Sequence, residues 1–193
     1  MPLLRMRNAS FEGGGASAGP VTLDVYPGER TALALGSARE ASIVALMASG
    51  IVKPSHGSVL IDDFDPRIQS INCKRVAALV PHEPCGLSES EFVRYVVYRA
   101  ALWKIEPRRA LAHAQLLRKR LDEMHEAFAF PLIGALVGMP KLVVLDRPAA
   151  AYAAQILTVL EGRAVFSAHA SASEARAFLT SPFTASGRGG APA

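Results

Sequence analysis

The 193 residues carry a formal net charge of +4, and half of them are hydrophobic. That length supports one core with a small appended lobe, and that apolar share excludes an intrinsically disordered chain. The longest uncharged apolar run, 127–140, is shorter than the ~18 residues a membrane-spanning helix needs, and Met1-Pro2-Leu3-Leu4-Arg5 lacks a signal-peptide core, so the sequence reads as soluble and cytoplasmic.

In chain order, Leu3 to Arg7 alternates weakly and predicts an edge strand. A Gly/Ala/Ser loop is expected from Gly13 to Gly19, then a half-buried strand over Val21–Val25. Pro27-Gly28 marks a turn, and Thr31–Leu35 reads as a buried strand running into Gly36. A helix is predicted over Ala41–Ser49, ended by Gly50. Pro54–Gly57 is a turn before a strand at Ser58–Ile61, and Val76–Val80 is another short apolar segment. Cys73 and Cys85 fit no zinc spacing and read as inert thiols.

The middle of the chain is helical. Ser88 or Ser90 caps a predicted helix that runs through Trp103, with Glu89 and Glu91 near its positive end. Pro107 opens the next helix, expected to reach about Met124. Its basic run, Arg108, Arg109, Arg118, Lys119 and Arg120, has no accompanying aromatic or RNA-binding motif, so it reads as a solvated face and no nucleic-acid partner is expected. Leu132–Val137 is apolar and small-residue rich, Lys141–Leu145 is the clearest buried strand, and Asp146-Arg147-Pro148 breaks it. A helix at Gln155–Leu160, a strand at Ala164–Ser167 and a short helix at Ser173–Leu179 follow. Strands alternating with helices predict an α/β fold with a mostly parallel sheet and a small antiparallel part.

The order of these landmarks resembles that of the ATP-binding cassette (ABC) ATPases. The resemblance covers about Leu3 to Phe178 and rests on Pro27-Gly28-Glu29, Gly36, Gly50–Gly57, Leu102–Pro107 and Ala135–Pro148. It is closest to subunits that energise drug, lipid or polysaccharide exporters. It implies a P-loop NTPase-like sheet and a nucleotide-binding domain over 1–179 with a shortened helical subdomain at about 86–130; the composition of 180–193, rich in Gly, Ser, Ala and Pro, predicts a flexible tail. It also implies that Gly36 and Asp146 end adjacent strands.

The family's chemical motifs are altered. A phosphate loop of the form G-x-x-x-x-G-K-S/T surrounds phosphates with backbone N–H groups and neutralises them with its lysine. Here the loop reads Gly36-Ser37-Ala38-Arg39-Glu40-Ala41-Ser42-Ile43. Counting forward from Gly36 puts the lysine position at Ser42, and counting back from Gly50 puts it at Ala41. Neither is a lysine, Glu40 adds negative charge, and Arg39 is no substitute for an aimed ammonium. The resemblance makes Gly36, Ser37, Ala41, Ser42 and Ile43 the nucleotide-binding positions, with Asp146 and Ser42 the magnesium positions.

The family strand ending Asp-Glu-Pro becomes Asp146-Arg147-Pro148, so a cation replaces the group that would polarise water. The Leu-Ser-Gly-Gly-Gln signature is expected near Leu121–His125, where no serine or glycine remains and Asp122, Glu123 and Glu126 would repel phosphate. His82 falls at the glutamine of the loop after Val80, His169 at the switch histidine, and Phe11 at an adenine-stacking aromatic. Ala149–Ala153 lacks the aspartate of the dimer-contact loop.

Phosphoryl transfer depends on positioned charge. The expectation is therefore a cytoplasmic subunit on the inner membrane face, bound to a transmembrane permease and a second ABC ATPase subunit. ATP and magnesium would bind weakly or not at all, and hydrolysis would be impaired or absent. Phe92, Tyr95, Val96, Tyr98 and Trp103 are a core stripe or a permease-facing one. Two alternatives are an atypical but genuine ATPase and a soluble scaffold that keeps the fold.

Overall fold

The structure is a computed structural model that describes residues 1–181. Two sheets organise it. The first is antiparallel, in the order β2-β1-β4, from β1 (Leu4–Gly13), β2 (Ala16–Val25) and β4 (His56–Ile61). The second is parallel, in the order β3-β7-β6-β5, from β3 (Arg30–Ala34), β5 (Ala77–Val80), β6 (Leu142–Asp146) and β7 (Ala164–His169). The helices are α1 (Ala38–Ala48), α2 (Ser70–Val76), α3 (Glu89–Leu102), α4 (Pro107–Arg120), α5 (Glu126–Leu136), α6 (Ala153–Val159) and α7 (Ala172–Leu179). Among the described residues no helix is long and apolar enough to cross a membrane.

Period-two alternation divides the core. On β6, Leu142 and Val144 face the antiparallel sheet and α1, while Val143 and Leu145 face α3, α4, α5 and α6. β6 and β7 are thus covered on both faces, which explains their apolar runs, whereas β3, expected to be buried, is an edge strand that is only partly so.

The N-terminal prediction needs correction. β1 is the central strand of its sheet, hydrogen-bonded to β2 on one side and β4 on the other, where an edge strand over Leu3–Arg7 was expected. Leu4, Met6 and Ala9 are fully buried, which anchors the strand despite its polar residues. The loop expected over Gly13–Gly19 shrinks to Gly14-Gly15, both at positive φ (57° and 68°) as a two-residue hairpin turn requires, and β2 begins at Ala16. Small residues obscured a strand there because cross-strand pairing, not propensity, makes it.

The helical region also differs in detail. α4 stops at Arg120, short of Met124, and α2 was not anticipated. Ser88 caps α3 as expected and forms a reciprocal capping box with Glu91. Leu132–Leu136 belongs to α5, a helix with Pro131 inside it, and Val137 is its C-cap. Proline leaves the carbonyl four residues earlier without its helical donor, and here Ala127 C=O instead accepts from Cys85 N–H at 2.8 Å. The connection between β5 and α3 is thereby fastened to α5. Of the tail expected over 180–193, Thr180 and Ser181 lie against the end of α7, with hydroxyls donating to Arg176 and Ala177 carbonyls. The remainder lies outside the described residues.

Candidate functional site

In open α/β sheets ligands meet the carboxyl ends of the strands. At that edge β3 runs into Gly36, β6 ends at Asp146 and β7 ends at His169. The sequence put Gly36 and Asp146 at the ends of adjacent strands; they are not, because β7 lies between β3 and β6. In register, Ala34 faces His169 and Asp146 faces Ala168. α1 then carries the chain back over this edge.

Gly36 to Ser42 forms a tight, self-capped turn into α1. Ser37 is the N-cap, and its hydroxyl accepts from Glu40 N–H at 3.1 Å. The Glu40 carboxylate turns back over the loop. One oxygen accepts from Gly36 N–H at 2.9 Å and the other from Gly19 N–H at 3.4 Å. Arg39 donates to Gly14 C=O at 3.2 Å, so the β1–β2 hairpin is tied to the same turn. Backbone donors at a helix start are what a phosphate would use. Here the donor of Gly36 already has an anionic partner within the chain.

The two counts along the loop differ at Ser42. Its hydroxyl lies 3.1 Å from Asp146 Oδ1. Ala41 beside it is fully buried, and Ile43 packs against the core.

Arg147 closes the site. It has a positive φ of 45°, uncommon for a residue with a side chain, and its N–H donates to Ala168 C=O at 2.9 Å. Its Nε donates to Asp146 Oδ1 at 3.1 Å and its Nη2 to Ser42 Oγ at 3.0 Å. Asp146, Ser42 and Arg147 therefore form a closed triangle in which the guanidinium bridges the two groups that would support a metal. Charge-assisted bonds of this kind are among the strongest available to side chains. His82 supports the triangle from outside. Its Nδ1 lies 2.9 Å from Arg147 C=O, and since a carbonyl only accepts, Nδ1 carries the proton. Met124, Phe128, Pro131 and Tyr152 line a small apolar pocket beside Arg147.

The remaining sequence-predicted residues lie apart from this triangle. His169 is buried at the end of β7, with Nε2 3.0 Å from Ser167 Oγ and its ring against Phe178. Burial pushes its pKa below the usual histidine value, partly offset by Glu174. Phe11 is half-buried on β1 opposite Ala18 and packs against the core. Leu121–His125 links α4 to α5, and His125 caps α5 through Nδ1, which accepts from Ala127 N–H at 3.2 Å. Arg118 pairs with Glu126 and with Glu89, so the carboxylate in the first turn of α5 is held there by a cation.

Bound magnesium–ATP does not fit these residues. The metal-side pair is bridged by a guanidinium, the loop donor is bonded to a carboxylate, and no ammonium stands at the lysine position. Sequence reasoning found Arg147, Ser42 and Asp146 but missed the part played by Glu40. The signal was its place three residues after Ser37, the spacing of a reciprocal N-terminal cap, although here its carboxylate reaches past the N-cap to Gly36 and Gly19.

No family model matches the sequence, and no curated protein matches it. Solved structures do match in fold. An ATP-binding subunit of an ABC transporter superposes with a TM-score of 0.69 at 17% identity, covering 86% of this chain and 79% of that one. The cassette MJ0796, as a dimer in a post-hydrolysis state with ADP and Pi, gives 0.67 at 16% identity, with 90% of each chain covered. The cbiO1 subunit of the ABC transporter complex cbiONQ from Clostridium perfringens gives 0.63 at 14%, covering 87% and 78%. The chain has the fold of ABC ATP-binding subunits.

Proposed function

We propose that this protein is a non-hydrolysing, ABC-type subunit of a membrane transporter, held on the cytoplasmic face by a permease and paired with a second ABC-type subunit. The observation that carries this reading is Arg147. It stands in the position of the water-polarising acid and its guanidinium is bonded to Ser42 and Asp146. An arginine cannot accept a proton from water at neutral pH. Without a lysine on the loop, two separate contributions to phosphoryl transfer are missing, and each such loss costs orders of magnitude in rate.

The partner assignment draws on the fold. One similar protein is a dimeric cassette and another is part of a multi-subunit transporter complex. The exporter type draws on the fragments Gly50–Gly57 and Leu102–Pro107. The domain reading places the nucleotide-binding-type domain over 1–179, with α3, α4 and the start of α5 as the reduced helical part.

In its native cells, the protein should sediment with membranes and be released by alkaline wash. The purified chain should release phosphate from magnesium–ATP no faster than the buffer blank. Turnover that disappears in Asp146→Asn would overturn the non-hydrolysing reading. A wholly soluble distribution would overturn the membrane-bound one.

A further inference from the structure

The disagreement between this site and a bound magnesium nucleotide has a definite form. It is not an open site with weakened ligands. Two places at this edge are contacted by charged side chains of the chain itself, one by a cation and one by an anion. At the end of β6, a cation bridges Ser42 Oγ and Asp146 Oδ1, with contacts of 3.0 and 3.1 Å. Beside the start of α1, the Glu40 carboxylate accepts from Gly36 N–H and from Gly19 N–H of β2.

We infer that Arg147 and Glu40 are the built-in occupants of the site, the Arg147 guanidinium standing in for the divalent metal and the Glu40 carboxylate for the phosphates. This rests on the non-hydrolysing reading above and extends it to how the site is regulated: it is held in one liganded-like arrangement that nucleotide does not switch.

The hydrogen-bond directions are consistent with a filled site. Ser42 donates its hydroxyl to Asp146 and accepts from Arg147, so each group meets a partner of the right kind. The arrangement also joins separate parts of the chain. Glu40 and Arg39 fasten α1 to the β1–β2 hairpin, Arg147 fastens the end of β6 to α1, and His82 fastens the loop after β5 to Arg147. In a nucleotide-dependent protein such connections would form and break with the ligand. Here they are made by side chains that cannot dissociate. The left-handed backbone of Arg147 is part of the device, since it lets the residue return its side chain toward the preceding Asp146.

Two NMR measurements on the full chain test this. The first is amide exchange. The Gly36 N–H should exchange slowly in the unliganded protein, speed up roughly tenfold or more in Glu40→Ala, and be unaffected when magnesium–ATP is added. Exchange at the open-chain rate, or added protection on nucleotide addition, overturns the inference.

The second is titration with Mn2+ alone, followed by local broadening of the Ser42 and Asp146 amide signals. The unaltered chain should show no selective broadening. Arg147→Ala should show it, and adding Asp146→Asn should remove it again. Arg147→Gln serves in place of Arg147→Ala where the latter does not fold. Equal broadening in the unaltered chain, or none in a folded Arg147 variant, overturns the inference. Mn2+ binding by the unaltered chain with no phosphate release overturns this inference alone, and phosphate release overturns both readings.

Discussion

A single reversal of charge at position 147 decides what the end of β6 can do. Two unit charges about 4 Å apart interact by roughly 4 kcal/mol at an effective dielectric of ~20, so a guanidinium between Ser42 and Asp146 strongly disfavours a divalent cation in the same place. Glu40 acts by the same arithmetic on any phosphate approaching Gly36. Histidine at position 169 has a different consequence. Its pKa is lowered in the folded chain by burial, so the stability linked to it is fully present above the unfolded value near 6.5 and is lost as pH falls below that. His113 on α4 works in the same direction, lowered by burial and by Arg163 and Arg109. Denaturant midpoints measured between pH 8 and 5 should fall on the acid side. His169→Gln should flatten that slope in part; an unchanged slope would contradict the burial argument.

At the scale of elements, caps and close approaches are the testable features. Ser88→Ala removes one half of the reciprocal cap on α3 and should cost about 1 kcal/mol, read as a Tm lower by roughly 2–4 °C. Gly57 sits where β4 meets the bulge of β1, with φ of 72°, and a Cβ there would come within 2.2 Å of Asn8 C=O. Gly57→Ala should therefore cost roughly 1–3 kcal/mol, visible as a lower urea midpoint at unchanged slope.

The same elements show why some of the fold was readable and some not. Ser88 and Pro107 are chemical signals confined to one helix start, and both helices begin where those residues predict. The parallel strands announce themselves as apolar runs. β1 and β2 do not, because their hairpin runs through Gly, Ala and Ser, and the other partner of β1, β4, lies far away in sequence. α5 was hidden by Pro131, whose presence is tolerated only because Cys85, on another segment, donates to the carbonyl it leaves free.

For the whole molecule, motif order predicted the architecture that the superposed structures share: a parallel sheet with an antiparallel sheet on one side and helices on the other. Order is enough because each landmark sits at an element boundary, and the boundaries fix the layers. The same spacing left two places for Ser42, whose hydroxyl lies 3.1 Å from Asp146 Oδ1. What spacing could not give was the direction of side chains. Whether Glu40 faces solvent or turns back to Gly36, and whether Arg147 extends outward or folds onto Asp146, depends on neighbours from the β1–β2 hairpin and from β7. The central claim is that this edge of the sheet is filled by the chain's own charges and does not take a magnesium nucleotide. The most direct test is a calorimetric titration of the purified, folded chain with ATP in the presence of magnesium. No binding isotherm is expected; one-to-one binding that requires magnesium and is lost in Asp146→Asn would show that the edge of the sheet is open to nucleotide.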